Sequence, residues 1–256
     1  MPGSCLTNRK YSVFYKWFVR HEPRKRNTKL RYEGHFTIFD KIKYHTLILK
    51  NKYGFENPYT ADPLSKKALR LLKGGRQLLD IGCGEGADSV FYAKKGFRVI
   101  AIDNNKTYLK RFRAFKNDND LTNISIRRTD ILSHHYPSNR YDAVNCLLVG
   151  CCMKRSEFEK LLIAIKYMVK PGGIIIMSLR NYLDPEFKVY NSTEKMIEPN
   201  TFRKKEDCCK IRYYIEKKRL RDVFKDFEIL YYYEGLAPDK YKEVPEHGDS
   251  YIICRK

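Results

Sequence analysis

From residue 60 onward the chain alternates short apolar runs with stretches of helical period, a pattern that admits few folds. Strand and helix in turn build βαβ units, whose largely parallel sheet is covered on both faces. Asp62-Pro63 supplies a helix N-cap and an N1 proline, Leu64, Ala68, Leu71 and Leu72 form an apolar stripe, and Gly74-Gly75 ends the helix. Strands are predicted at 77–81, 97–103, 124–126, 141–149 and 174–179. Between them, helices are marked by Val90, Phe91 and Ala93, by Tyr108, Phe112 and Phe115, and by Phe158, Leu161, Leu162, Ile165 and Val169. Ser156 and Glu159 read as a capping box for the last of these, and Lys170-Pro171-Gly172-Gly173 as its stop. Residues 184–210 carry Pro185 and Pro199 with no sustained period, which predicts a long excursion on the substrate side. A basic helix at 216–224 and strands at 227–233 and 250–254 complete the pattern.

Charge divides the chain unevenly. Its 256 residues hold 51 Lys and Arg against 30 Asp and Glu, a net charge of +21, which calls for anionic partners: nucleic acid, anionic lipid or an anionic small substrate. Residues 1–60 alone carry 13 basic and 4 acidic side chains. There Phe14, Trp17 and Phe18 share one helical face beside Lys10, Lys16, Arg20 and Arg24-Lys25-Arg26. We therefore read 1–55 as a basic, aromatic-rich extension and 56–256 as the α/β domain. The extension suits phosphates or a membrane surface, or docks as an amphipathic helix on its own domain. The apolar run at 143–153 is broken by Asn145 and falls short of the roughly 18 residues a membrane helix needs. Tyr11 to Val19 is broken by Lys16 and lacks the form of a secretory signal, so the expected location is cytoplasmic. Among eight cysteines none forms a Cys-x-x-Cys clip, so no metal site is expected. The adjacent pairs Cys151-Cys152 and Cys208-Cys209 read as reduced small hydrophobes, with a grip on a thiophilic ion as the alternative.

The chemistry concentrates after the first strand. Asp80-Ile81-Gly82-Cys83-Gly84-Glu85-Gly86 joins strand to helix through alternating glycines, which turn tightly and leave backbone N–H groups for a ligand. Asp103 ends the second strand, where a carboxylate accepts both hydroxyls of a ribose. Asp130, in Thr129-Asp130-Ile131, follows the third and offers an acceptor beside an apolar residue for an adenine edge.

The stretch from Asp80 to Asn105, with Asp130, Tyr141-Asp142-Ala143-Val144 and Lys170-Pro171-Gly172-Gly173, resembles the class I S-adenosylmethionine-dependent methyltransferases over roughly residues 60–256. The resemblance implies a Rossmann-like α/β fold: a seven-stranded, mostly parallel sheet with helices on both faces and an antiparallel last strand. It implies S-adenosylmethionine as cofactor, held by Asp80, Gly82, Cys83, Gly84 and Gly86, by Asp103 and Asn104 at the ribose, and by Asp130 and Ile131 at the adenine. Gly84 to Ser89, Tyr92 to Phe97 and Arg212-Tyr213-Tyr214 are similar to the tellurite-resistance and thiopurine type, which acts on small molecules. The basic first 55 residues depart from that type.

At the substrate end, Asn145-Cys146-Leu147-Leu148 stands where base-amino methyltransferases carry an Asn/Asp-Pro-Pro-aromatic tetrapeptide, and Cys151-Cys152 lacks the proline of a cytosine C5 nucleophile. Arg180, Asn181 and Tyr182 end the fifth strand, at the edge where open α/β sheets bind ligands, and Arg180 suits an anionic acceptor or a structural salt bridge. His247, just before the last strand, is the candidate general base. Tyr59 and Tyr190 are candidates to cover the substrate, and His134-His135 to border the cofactor. The sequence thus predicts methyl transfer to the O, N or S atom of a small acceptor. Two alternatives stand beside it: an RNA methyltransferase whose extension tracks phosphates around a flipped nucleotide, and an inactive module bound to nucleic acid or membrane.

Overall fold

A computed structural model describes residues 60–72, 77–133, 136–203, 210–238 and 246–256. The extension at 1–55, Tyr59, His134-His135 and Cys208-Cys209 lie outside the described residues. The elements run α1 (Pro63–Leu69), β1 (Gln77–Ile81), α2 (Ala87–Lys94), β2 (Arg98–Asp103), α3 (Lys106–Asp118), β3 (Ile124–Arg128) and β4 (Tyr141–Leu147). They continue through a single 3-10 turn (Gly150–Cys152) to α4 (Arg155–Met168), β5 (Val169–Arg180), α5 (Pro185–Thr193), β6 (Thr201–Arg203), β7 (Ile211–Tyr213), α6 (Arg219–Val223), β8 (Glu228–Pro238) and β9 (Glu246–Arg255).

Seven strands form one sheet in the order β3-β2-β1-β4-β5-β9-β8, and β6 pairs with β7 in a separate hairpin. β1 to β5 pair in parallel, and β9 runs antiparallel to both β5 and β8, so the seven-stranded expectation holds. The chain order reverses between β1 and β4, which opens a crevice at their carboxyl ends. Alternation assigns the two cores: Leu79, Ile81, Val144 and Cys146 face α4, while Leu78, Val99, Ala101 and Ala143 face α1, α2 and α3. Among the described residues no helix is long and apolar enough to cross a membrane.

Three local expectations change. Asp62 and Pro63 cap α1 as read, Asp62 Oδ1 accepting from Leu64 N at 2.9 Å, but α4 is capped at Lys154, two residues before Ser156. Glu157 accepts from Lys154 N at 2.8 Å, while Ser156 Oγ donates to Glu198 and Glu159 accepts from Arg219. Ser156 and Glu159 thus tie α4 to its neighbours rather than capping it. Lys170-Pro171-Gly172-Gly173 ends the helix but belongs to β5, because Val169 already pairs with Tyr141 before the register jumps to Ala143 and Ile174. The four residues bulge out, with Gly172 at φ +76° and Lys170 paired to Asp142 at 2.6 Å. The segment 184–210 contains α5, capped by Asp184 Oδ1 accepting from Glu186 N at 2.9 Å, and the strand β6. Its aromatics pack on each other rather than on the main sheet: Phe187 lies 5.2 Å from Tyr214 and Tyr190 stacks on Phe202 at 5.7 Å.

Candidate active site

The turn after β1 is made by three glycines in left-handed conformations, Gly82 (φ +66°), Gly84 (φ +54°) and Gly86 (φ +90°). What a side chain would meet differs among them. A Cβ at Gly82 meets the Val149 methyl at 2.3 Å, and one at Gly86 meets the buried Phe112 ring at 2.3 Å, whereas one at Gly84 meets nothing within 4 Å. Gly82 and Gly86 let the loop press onto its own protein, and Gly84 faces open space.

Asp103, at the end of β2, accepts from Gly84 N at 2.9 Å and from Asn105 N at 2.7 Å. Its carboxylate is thereby fixed beside the open face of the loop, where hydroxyl donors fit its remaining lone pairs. Cys83 N donates to Ile102 O at 3.0 Å and Gly86 N to Cys83 O at 2.8 Å, which shapes the turn. Burial, with Asp80 and Asp103 nearby, pushes the Cys83 thiol up, so it stays protonated and is no nucleophile. Asn104 O accepts from Arg128 Nε at 3.2 Å. Asp130 is exposed and accepts from Leu132 N at 3.0 Å, and Ile131 packs at the edge of the core.

Asp80 has another geometry. It is 3% exposed, accepts from Asn145 Nδ2 at 2.9 Å and from Ser89 Oγ at 2.5 Å, and so joins β1, β4 and α2 beneath the loop. Burial and the nearby Asp88 push its carboxyl up to about 7, against the pull of the Ser89 and Asn145 hydrogen bonds. As the pH rises from about 4 to 7 the unfolded chain ionises at this position while the folded chain keeps its proton, so stability is lost across that window. Urea unfolding at pH 5 and pH 8 is expected to show a larger drop for the native chain than for Asp80→Asn. Equal drops would remove Asp80 as the source.

A cavity of about 150 Å³ opens at the carboxyl ends of β4 and β5. Leu148 and Ser178 line it, together with Arg180, His247, Asp249 and Tyr251 of β5 and β9, Asp62, Pro63, Leu64 and Lys67 of the α1 segment, and Tyr231 and Pro238 of β8. The two candidate catalytic residues thus line one cavity. Arg180 Nη1 donates to Asp249 Oδ1, whose other oxygen accepts from Tyr251 at 2.6 Å, and Arg180 Nε lies 4.0 Å from Asp184. Burial and the Asp249 carboxylate push the Tyr251 phenol up, so it remains a donor. His247 Nδ1 lies 3.0 Å from Asp184 Oδ2.

Asn181, Tyr182 and Tyr190 do not line this cavity. Asn181 is buried, its Oδ1 accepting from Leu183 N at 2.9 Å and its Nδ2 donating to Ser250 at 3.2 Å, and Tyr182 bonds Glu234. Cys151 is buried with its thiol donating to Leu148 O at 3.0 Å, and the thiol of the exposed Cys152 approaches the same oxygen at 3.8 Å. Residues beyond sequence reach are Asp184, Asp249, Tyr251 and Ser178. The one available signal was Asp184-Pro185, which repeats the Asp62-Pro63 cap.

Loop and cavity adjoin. Val149 touches Gly82 while its neighbour Leu148 lines the cavity, and Asp62 N donates to Asp88 Oδ1 of α2 at 2.8 Å. Residues 78–173, spanning the glycine loop, Asp103 and the Pro-Gly-Gly bulge, match the methyltransferase domain family. Over that stretch the chain carries a methyltransferase domain. Glycine N-methyltransferase of Mus musculus is 32% identical over 126 residues, 43% of this chain and 42% of that protein. The chain therefore spans less than half the length of that relative. An S-adenosylmethionine-dependent methyltransferase from Methanosarcina mazei shares the fold with a TM-score of 0.61 at 18% identity, over 77% of this chain and 98% of its own. TehB from Haemophilus influenzae gives 0.60 at 18%, over 81% and 65%. At these identities the methyltransferase domain shares an architecture with both structures.

Proposed function

We propose that this methyltransferase domain transfers a methyl group from S-adenosylmethionine to a small acceptor seated in the cavity between α1, β5, β8 and β9. The observation that carries the reading is the contact of the glycine loop with the cavity wall through Leu148-Val149, so that a cofactor held on the loop would lie beside the cavity. The residues suit the cofactor: Gly84 leaves space, Asp103 is held to accept ribose hydroxyls, and Asp130 and Ile131 stand after β3 at the adenine end. When bound, S-adenosylmethionine supplies an electrophilic methyl on a sulfonium. The chain's own work is to align the acceptor, exclude water and take up a proton. Leu148 and Pro63 give the cavity apolar walls, and Arg180, held by Asp249, fixes the wall opposite α1.

Calorimetric titration of the full chain is expected to show micromolar binding of both S-adenosylmethionine and S-adenosylhomocysteine. A folded protein that binds neither would overturn the reading and favour the inactive module.

A second reading, RNA as the acceptor, is supported by one surface. Lys106, Lys110 and Arg113 are exposed at helical spacing along α3, and Arg127 and Arg128 are exposed on the neighbouring edge strand β3, next to the adenine end. Binding through such a stripe falls steeply between 50 and 200 mM salt, by about 10³-fold for six phosphate contacts. A salt-independent methyl transfer would exclude it.

A further inference from the structure

Leu148 is a leucine where the backbone favours glycine or asparagine. Its φ is +58°, and the other described non-glycine residues at positive φ, Asp120, Asn139, Asn200 and Lys218, are all polar or charged. A leucine Cβ crowds the following carbonyl there, whereas Asn and Asp are tolerated because their short side chains bond locally. The surroundings hold the conformation. Leu148 N donates to Ser178 O at 2.9 Å and to Ser178 Oγ at 3.2 Å, and Leu148 O accepts from the Cys151 thiol at 3.0 Å. Two residues on, a Cβ at Gly150 would stand 2.6 Å from Leu179 and 2.7 Å from Phe158, so the 3-10 turn is tightly seated. The bonds at Leu148 all go to its backbone, and a glycine would make the same turn without strain.

Core packing does not call for the leucine either. Among the described residues Leu147 packs against the core on the α1–α3 side and Val149 against the core on the α4 side, while Leu148 belongs to neither and lines the cavity. Strained residues persist where the surrounding structure over-determines them, and they gather at binding sites. The rest of the lining has the same character. Pro63, Tyr231 and Tyr251 add apolar surface, Arg180 is met by Asp249 and Asp184, and Lys67 Nζ sits 3.7 Å above the Tyr231 ring. At about 150 Å³ the cavity is of the size that holds one benzene ring.

We propose that Leu148 is a specificity-determining residue whose side chain receives the acceptor's apolar body, and that the acceptor is a compound with a ring-sized apolar body beside its nucleophilic atom rather than a small zwitterion or a phosphate-bearing molecule. The inference rests on the methyl-transfer reading above. Leu148 stands next to Val149, which abuts the glycine loop at Gly82, so a body packed on Leu148 lies at the end of the cavity nearest the cofactor. The left-handed backbone is what turns this side chain to the cavity while its two neighbours serve the cores.

Leu148→Asn in the full chain is expected to keep the native urea midpoint, because an amide suits the left-handed backbone and no core contact is lost. A fall in the midpoint would make Leu148 a packing residue and overturn the proposal. The site itself is read with two S-adenosylmethionine analogues that carry nitrogen in place of sulfur, one with a methyl and the other with a benzyl group on that nitrogen. In calorimetric titration the native chain is expected to bind the benzyl analogue at least about 10-fold more tightly than the methyl analogue, since the ring is buried against Leu148. That preference is expected to vanish in Leu148→Asn and to persist in Leu148→Met, which keeps an apolar side chain of similar volume. Equal binding of the two analogues by the native chain overturns the proposal, as does a preference that survives in Leu148→Asn. The two readings fail separately: if neither analogue nor S-adenosylhomocysteine binds, the methyl-transfer reading is lost, whereas S-adenosylhomocysteine binding without a benzyl preference removes the role of Leu148 alone.

Discussion

Gly86→Ala is expected to destabilise the fold by about 2 to 5 kcal/mol, read as a fall in the urea midpoint. Two costs add. At φ +90° an L side chain is strained by about 1 to 2 kcal/mol, and the new methyl must displace the Phe112 ring, which is fully buried. Overpacking of that kind costs roughly 1 to 3 kcal/mol. Gly84→Ala is the control, because its φ of +54° carries the same strain while its methyl meets no neighbour. It is expected to lose only about 1 to 2 kcal/mol of stability, yet to weaken S-adenosylhomocysteine binding by filling space on the open face of the loop. Equal stability losses in the two variants would show that Phe112 yields.

Asp103→Ala is expected to weaken cofactor binding by about 1 to 3 kcal/mol, roughly 5- to 150-fold in calorimetric titration. The carboxylate holds Gly84 N and Asn105 N, so its removal loosens the loop and the start of α3 as well as the proposed ribose contact. Asp130→Ala separates these effects. Asp130 is exposed and its carboxylate accepts locally from Leu132 N, so its loss is expected to lower affinity without moving the urea midpoint. Unchanged affinity in Asp103→Ala would remove the ribose role.

Much of this site was legible because its signals are local. The glycine loop, Asp103 and Asp130 follow successive strands, and strand ends are marked by the passage from apolar alternation to turn residues. What the sequence hid are relations across distance. Asp249 meets Arg180 because β9 pairs antiparallel with β5 in a register that aligns them, although 69 residues separate the two. No spacing rule reports such a pair.

Asp184 was hidden for a different reason. Asp184-Pro185 carries the same N-cap and N1 proline as Asp62-Pro63, but α1 also shows an apolar stripe toward the main core, with Leu64 and Ala68 buried. No residue of α5 is buried, and Val189 is 59% exposed, because the helix rests its aromatics against the β6–β7 hairpin. Without a period the cap alone does not announce a helix. The capping-box misreading at Ser156 and Glu159 is the converse: the motif spacing was present, but tertiary partners Glu198 and Arg219 claim both side chains.

The reversed direction of β9 makes the two half-sites unequal as targets of change. The cofactor half is a loop, whose residues can vary where they meet open space. The proposed acceptor half has one wall woven into the sheet, with Asp249 opposite Arg180 and Tyr251 opposite Ser178, all four lining the cavity. Altering the cavity on its β5–β9 side therefore means altering a strand ladder, and each change there would have to be compatible with folding before it could be selected or engineered.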